Sequence, residues 1–105
     1  MISIEISKNS DGTYKKIIIQ GHANSAKYGK DIVCAGVSAI VFGSLNAIEQ
    51  KASSMPEIKI SDGDDGLVSI DKIYDIKAQE IIDIMIIQLK TVEESYSKYI
   101  KVIYK

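Results

Sequence analysis

Ile2, Ile4 and Ile6 alternate with Ser3, Glu5 and Ser7, the period-two pattern of a strand with one buried face. Asn9-Ser10-Asp11-Gly12 supplies turn chemistry, so Tyr14 to Gly21 reads as the second arm of a hairpin. Residues 23–30 lose all apolar period, carry two lysines and Gly29, and read as an exposed loop. From Asp31 to about Lys51 the spacing turns helical, with Ile32, Val33, Val37, Ile40, Val41, Leu45 and Ile48 recurring on one side. Asp31 is the expected N-cap of that helix, because a carboxylate there accepts from free first-turn N–H groups.

Ser53 to Pro56 breaks the helix, and Glu57 to Ile60 and Leu67 to Asp71 read as two short strands. Between them, Asp62-Gly63-Asp64-Asp65-Gly66 is acidic but does not match a calcium loop. Ile73 stands where the distal glutamate of an EF-hand would fall, so a solvated hairpin turn is the simpler reading. Asp75 to about Tyr96 is the second helix, whose stripe of Ala78, Ile81, Ile82, Met85, Leu89, Val92 and Tyr96 is widened by Ile84, Ile86 and Ile87. Burial between sheet and helix or a dimer interface accounts for that width. Ala35, Ala39, Gly43 and Ala47 form a ladder of small residues on the first helix, fit for close packing against a helix, the sheet or a second subunit. Tyr99 to Tyr104 alternates again as a final strand. The expectation is an α+β fold, a single domain over residues 1–105 of order ββαββαβ, with two helices packed on a mostly antiparallel sheet.

Composition narrows the partners. The chain has 105 residues, 46% of them hydrophobic and 26% charged, which suits a soluble globular domain. All 13 basic residues are lysine and the net charge is −1, so no arginine fork exists to read bases or clamp phosphate, and nucleic-acid binding is not expected. No signal peptide pattern is expected at the start, and no apolar run is expected to approach the length that spans a bilayer. One cysteine makes no internal disulfide, and the default address is the cytoplasm.

That cysteine, Cys34, lies twelve residues after the only histidine, His22. A thiol and an imidazole are the two parts of a cysteine nucleophile. With a helix beginning at Asp31, Cys34 falls in the opening turn, where free N–H groups and the helix dipole favour a thiolate and offer donors to an oxyanion. Gly21 and Gly29 permit unusual backbone angles at the two ends of the connecting loop. Ser38, one turn after Cys34, is placed to steady the thiolate or a substrate carbonyl, or else to cap its own turn. The bland alternative is that Cys34 is a small buried hydrophobe and His22 a surface residue. One histidine and one cysteine make a poor zinc set, so no metal and no cofactor is expected.

Gly21-His22-Ala23, Gly29-Lys30-Asp31-Ile32-Val33-Cys34-Ala35 and Val37-Ser38-Ala39 resemble the bacterial ribosomal-processing cysteine protease family, Prp, and the likeness runs through nearly the whole chain. Gly36 stands where alanine often follows Cys-Ala. The resemblance implies an endopeptidase that removes a short N-terminal extension from large-subunit ribosomal protein number twenty-seven, cutting after a pair of phenylalanines and before a small residue. It implies a homodimer, Cys34 as nucleophile and His22 as general base and acid, with Asp31 as an N-cap or a histidine orienter. It also implies a substrate-gating loop of Ala23, Asn24, Ser25, Ala26, Lys27, Tyr28, Gly29 and Lys30. Two rivals use the same residues: a dimeric module that binds a ribosomal protein around a structural Cys34, and a peroxide or thiol sensor.

Overall fold

The computed structural model describes residues 1–21, 28–61 and 66–105, with side chains described outside 28–31. Seven elements follow in the expected order: β1 (Ile2–Lys8), β2 (Tyr14–Gln20), α1 (Tyr28–Lys51), β3 (Glu57–Ser61), β4 (Leu67–Asp71), α2 (Ile76–Ser95) and β5 (Ile100–Tyr104). The acidic run 62–65, read as a hairpin turn, lies outside the described residues.

The strands form one sheet in the order β3-β4-β2-β1-β5. Three pairings are antiparallel and one, β1 with β5, is parallel. The β1–β2 hairpin closes as its turn residues dictate. Gly12 takes a φ of 89°, and Asp11 accepts from both the backbone N–H and the hydroxyl of Thr13, at 2.9 and 2.6 Å. Those two bonds hold the Asp11 carboxyl below its usual range.

Register then sets one apolar row beside the next. Ile4 faces Ile19 and Ile19 faces Val68; Ile6 faces Ile17 and Ile17 faces Ile70. The period of two turns all of these to a single face, and both helices cover that face. Val33, Val37, Val41, Leu45 and Ile48 of α1 and Ala78, Ile82, Met85, Ile86 and Leu89 of α2 join the strands in one core, which makes the chain a single α+β domain.

Three sequence expectations change. Helix α1 starts at Tyr28 rather than Asp31, so Asp31 lies inside its first turn and is not the N-cap. By the criteria of length and composition Ile32–Lys51 is a run apolar enough to cross a bilayer, against the expectation that none exists. Its buried stripe accounts for part of that apolarity, because a helix laid across a sheet of isoleucines needs such a face, while Ile32 and Phe42 on the same run stay exposed. The small ladder is only partly covered: Ala35, Ala39 and Gly43 are exposed and Ala47 is half-buried, while Ala39, Gly43 and Ala47 line an open groove beside Ile81 and Ile84 of α2.

Candidate active site

Helix geometry sorts the chemistry of α1. Around the buried stripe, Cys34, Ser38 and Phe42 recur at four-residue spacing along one flank, while Ile40, Ser44 and Ala47 border α2 on the other. The first flank overhangs the end of the sheet where β1 begins, β2 ends, β3 ends and β4 begins. There Cys34, Ser38 and Phe42 join Gly21, Ile60 and Val68 around a cleft of about 160 Å³. Ile2, Ile19, Val37 and Val41 form most of its apolar floor. Cys34 is half-buried and takes part in no disulfide.

Gly21 directly follows the last residue of β2. Its φ is +93°, and a Cβ built on it would sit 2.3 Å from the carbonyl oxygen of Met1. A side chain there meets both the left-handed penalty and a backbone atom, so only glycine lets β2 end against the start of β1 in this way. The residue that follows is His22. His22, Ala23, Asn24, Ser25, Ala26 and Lys27 lie outside the described residues.

The structure thus brings Gly21, Cys34 and Ser38 together, and it corrects two features of the expected site. Tyr28, Gly29 and Lys30, assigned to a gating loop, form the first turn of α1. Starting the helix at Tyr28 also makes Cys34 its seventh residue. The N–H groups without intrahelical acceptors are those of the first four residues, and the dipole's effect fades within the first turn. The N–H of Cys34 is therefore spent inside the helix. The expected oxyanion donors at the helix start lie about 5 Å or more along the axis from the thiol, at 1.5 Å rise per residue. Ser38, exposed and lining the same cleft, is the hydroxyl the described residues put one turn from the thiol.

Phe42, Ile60 and Val68 were missed as site residues. Phe42 carried a signal: it is the chain's only phenylalanine and repeats the four-residue spacing from Cys34 through Ser38. Ile60 and Val68 carried none, since each reads as an ordinary strand residue until β3 and β4 pair with Ile60 opposite Val68.

Comparison with known proteins places this arrangement. The family model described as cysteine protease Prp matches residues 1–101. The ribosomal processing cysteine protease Prp of Staphylococcus aureus (strain Mu50 / ATCC 700699) is 42% identical over 107 residues, with both chains covered in full. A crystal structure of the essential ribosomal processing protease Prp from S. aureus with a substrate peptide superposes at a TM-score of 0.92, with 39% identity and 100% of each chain covered. Another from S. aureus, with a covalently linked product peptide, gives 0.88 at 41% identity, again over 100% of each chain.

Proposed function

The chain belongs to the Prp family of cysteine proteases, and from that premise we propose that it removes the N-terminal extension of large-subunit ribosomal protein number twenty-seven, with Cys34 as nucleophile and His22 as general acid and base. One observation carries the reading: the only thiol of the chain opens into an apolar cleft whose rim includes Gly21, the residue before the only histidine. An extension ending in apolar residues suits such a cleft, and a flexible tail reaches it where a folded protein does not.

The steps follow from that placement. His22 takes the proton of the Cys34 thiol, the thiolate adds to the peptide carbonyl to form the C–S bond, and Ser38 donates a hydrogen bond to the oxygen as it becomes an anion. The C–N bond breaks as His22 gives its proton to the departing amine. His22 then takes a proton from water, whose oxygen attacks the thioester carbon and releases Cys34. No metal or cofactor is needed, and neither nucleic acid nor a membrane takes part. Acting on a ribosomal precursor, the enzyme works in the cytoplasm.

The same reading makes it a homodimer. Ile84 and Ile87 of α2 are left 47% and 57% exposed, beside a groove lined by Ala39, Gly43 and Ile81 where α1 and α2 meet. Apolar side chains of that size on one face are suited to a second copy. Sedimentation should give twice the mass of 11.5 kDa, and Ile84→Glu with Ile87→Glu should halve it.

The deciding assay incubates the protein with the ribosomal precursor and reads the products by mass. One cut that releases the extension is expected, and Cys34→Ala and His22→Ala should abolish it. Variants that cut as well as the parent would remove the dyad, and an uncut precursor would remove the substrate.

A further inference from the structure

The cleft beside Cys34 has a floor and two lips of unlike character. Its floor is core: Ile19, Val41 and Val68 are no more than 7% exposed. Its lips are Phe42 from α1 and Ile60 from the edge strand β3, left 42% and 53% exposed. A large aliphatic residue exposed on an edge strand invites unwanted pairing, and proteins usually place charge there. Here the neighbours on either side, Lys59 and Ser61, are polar, and Ile60 is the large apolar side chain that β3 gives to the cleft, in register with buried Val68. The two lips rise from different walls over one apolar floor.

Size decides what fits. An apolar cavity of about 150 Å³ in a protein core holds one benzene, and this cleft measures about 160 Å³. It therefore has room for one ring or one branched aliphatic side chain, not two. In an extended peptide, neighbouring side chains point to opposite sides, so a second apolar residue next to the first stays outside.

We infer that Phe42 and Ile60 are specificity-determining residues, closing over a single ring-sized apolar side chain on the acyl side of the bond that Cys34 attacks. The inference rests on the protease reading above. The acyl side follows from the chemistry: the amine half leaves when the C–N bond breaks, while the acyl half stays on sulfur until water displaces it. A seated side chain on that half holds the carbonyl in place through both steps. Phe42 lies eight residues along α1 from Cys34, about 12 Å at 1.5 Å per residue. An extended peptide advances about 3.4 Å per residue, so the seated side chain belongs to one of roughly three residues before the cut.

The test measures kcat/KM for a peptide spanning the cleavage site and for peptides with each apolar acyl-side residue changed in turn to alanine. Wild type, Phe42→Ala and Ile60→Ala are compared, with Phe42→Trp as a variant that fills the cleft. In wild type one position should cost about tenfold or more. In the two alanine variants that same change should cost little, because the partner surface is gone. Phe42→Trp should move the preference toward a smaller side chain. Alkylation of Cys34 by iodoacetamide should run at the wild-type rate in all three variants, which separates a lost subsite from a damaged fold. Variants that keep the wild-type penalty at every position, or that lose alkylation along with cleavage, would overturn the assignment while leaving the protease reading intact. A wild type that cuts none of the peptides would overturn both.

Discussion

The two ends of the sheet are built to opposite ends. At the end where β2 begins, side chains satisfy the backbone. The Gln79 amide accepts from the N–H of Tyr14 at 2.8 Å and donates to the carbonyls of Tyr14 and Ile73 at 2.7 and 2.8 Å. The Tyr14 hydroxyl donates to Asp83 at 2.5 Å. Desolvation first, and then that carboxylate, push the Tyr14 pKa far above its ordinary value. Asp75 caps α2 by accepting from Lys77 and Ala78, and its other oxygen takes the N–H of Ser53, tying the exit of α1 to the entry of α2. At the end where β2 finishes, the chain leaves a left-handed glycine, a half-buried thiol and two wet apolar lips. Side-chain hydrogen bonds tie the backbone at one end, where Tyr74 and Ile76 nevertheless stay exposed, and at the other end the open apolar surface lines a cleft beside the thiol. Even the sheet's edges follow suit: the N–H of Val102 in β5 is taken up by Glu93 at 2.6 Å, whereas β3 keeps Ile60 exposed.

If that division is right, changes at the cleft end should strike activity and changes at the locked end stability. The largest effect is expected from Cys34→Ala, which should lower kcat/KM by at least about 10³-fold with an unchanged melting temperature; a parallel fall in stability would blur the comparison. Gln79→Ala should do the reverse. It leaves one N–H and two carbonyls without their side-chain partner and should cost about 2 kcal/mol in urea unfolding, while kcat/KM of the folded fraction stays within about twofold of wild type, a margin of roughly 0.4 kcal/mol. Gly21→Ala tests the one place where the two roles meet. Its strain should cost about 1–2 kcal/mol, and cleavage should fall further than stability explains because the residue precedes His22; equal losses would make Gly21 purely structural.

The smallest effect is on acid stability. Desolvation raises the Asp75 pKa, but N–H bonds from Ala78, Ser53 and Lys77 outweigh it and hold the carboxyl below its usual range. A depressed folded pKa stabilises the fold above the unfolded value of about 3.9 and loses that contribution as pH falls through the lower folded value. Asp75→Asn keeps a capping oxygen and should flatten this acid limb in thermal melts between about pH 5 and pH 2, a window set by the unfolded carboxylate value. An unchanged slope would take Asp75 out of the lock.

Much of this was legible in the residues. Ile2, Ile4 and Ile6 announce a one-sided strand because the pleat has a period of two, and Val33, Val37, Val41, Leu45 and Ile48 announce a helix for the corresponding reason. Asp75 marked the second helix start, as it does in the structure. Asp31 marked the first helix start wrongly. Tyr28-Gly29-Lys30 lacks an apolar period, and a pattern detects only turns whose apolar residues repeat, so the first turn of α1 went unseen. The width of the apolar stripe on α2 was equally ambiguous. Ile86 is buried while Ile84 and Ile87 are not, a distinction fixed by where α1 lies against α2.

By itself the sequence determined the order of elements, the core-facing residues and the pair of rare side chains, because each depends on local period or on simple identity. The family followed from a motif written in one continuous stretch, Gly21 to Ala39. Only the tertiary structure decided that Ile60 from β3 and Phe42 from α1 share a cleft with Cys34, and that the thiol sits beyond the free N–H groups of its helix. Those facts depend on which strands pair, in what register, and under which flank of a helix. Contacts between residues far apart in the chain set them, and no local pattern contains them.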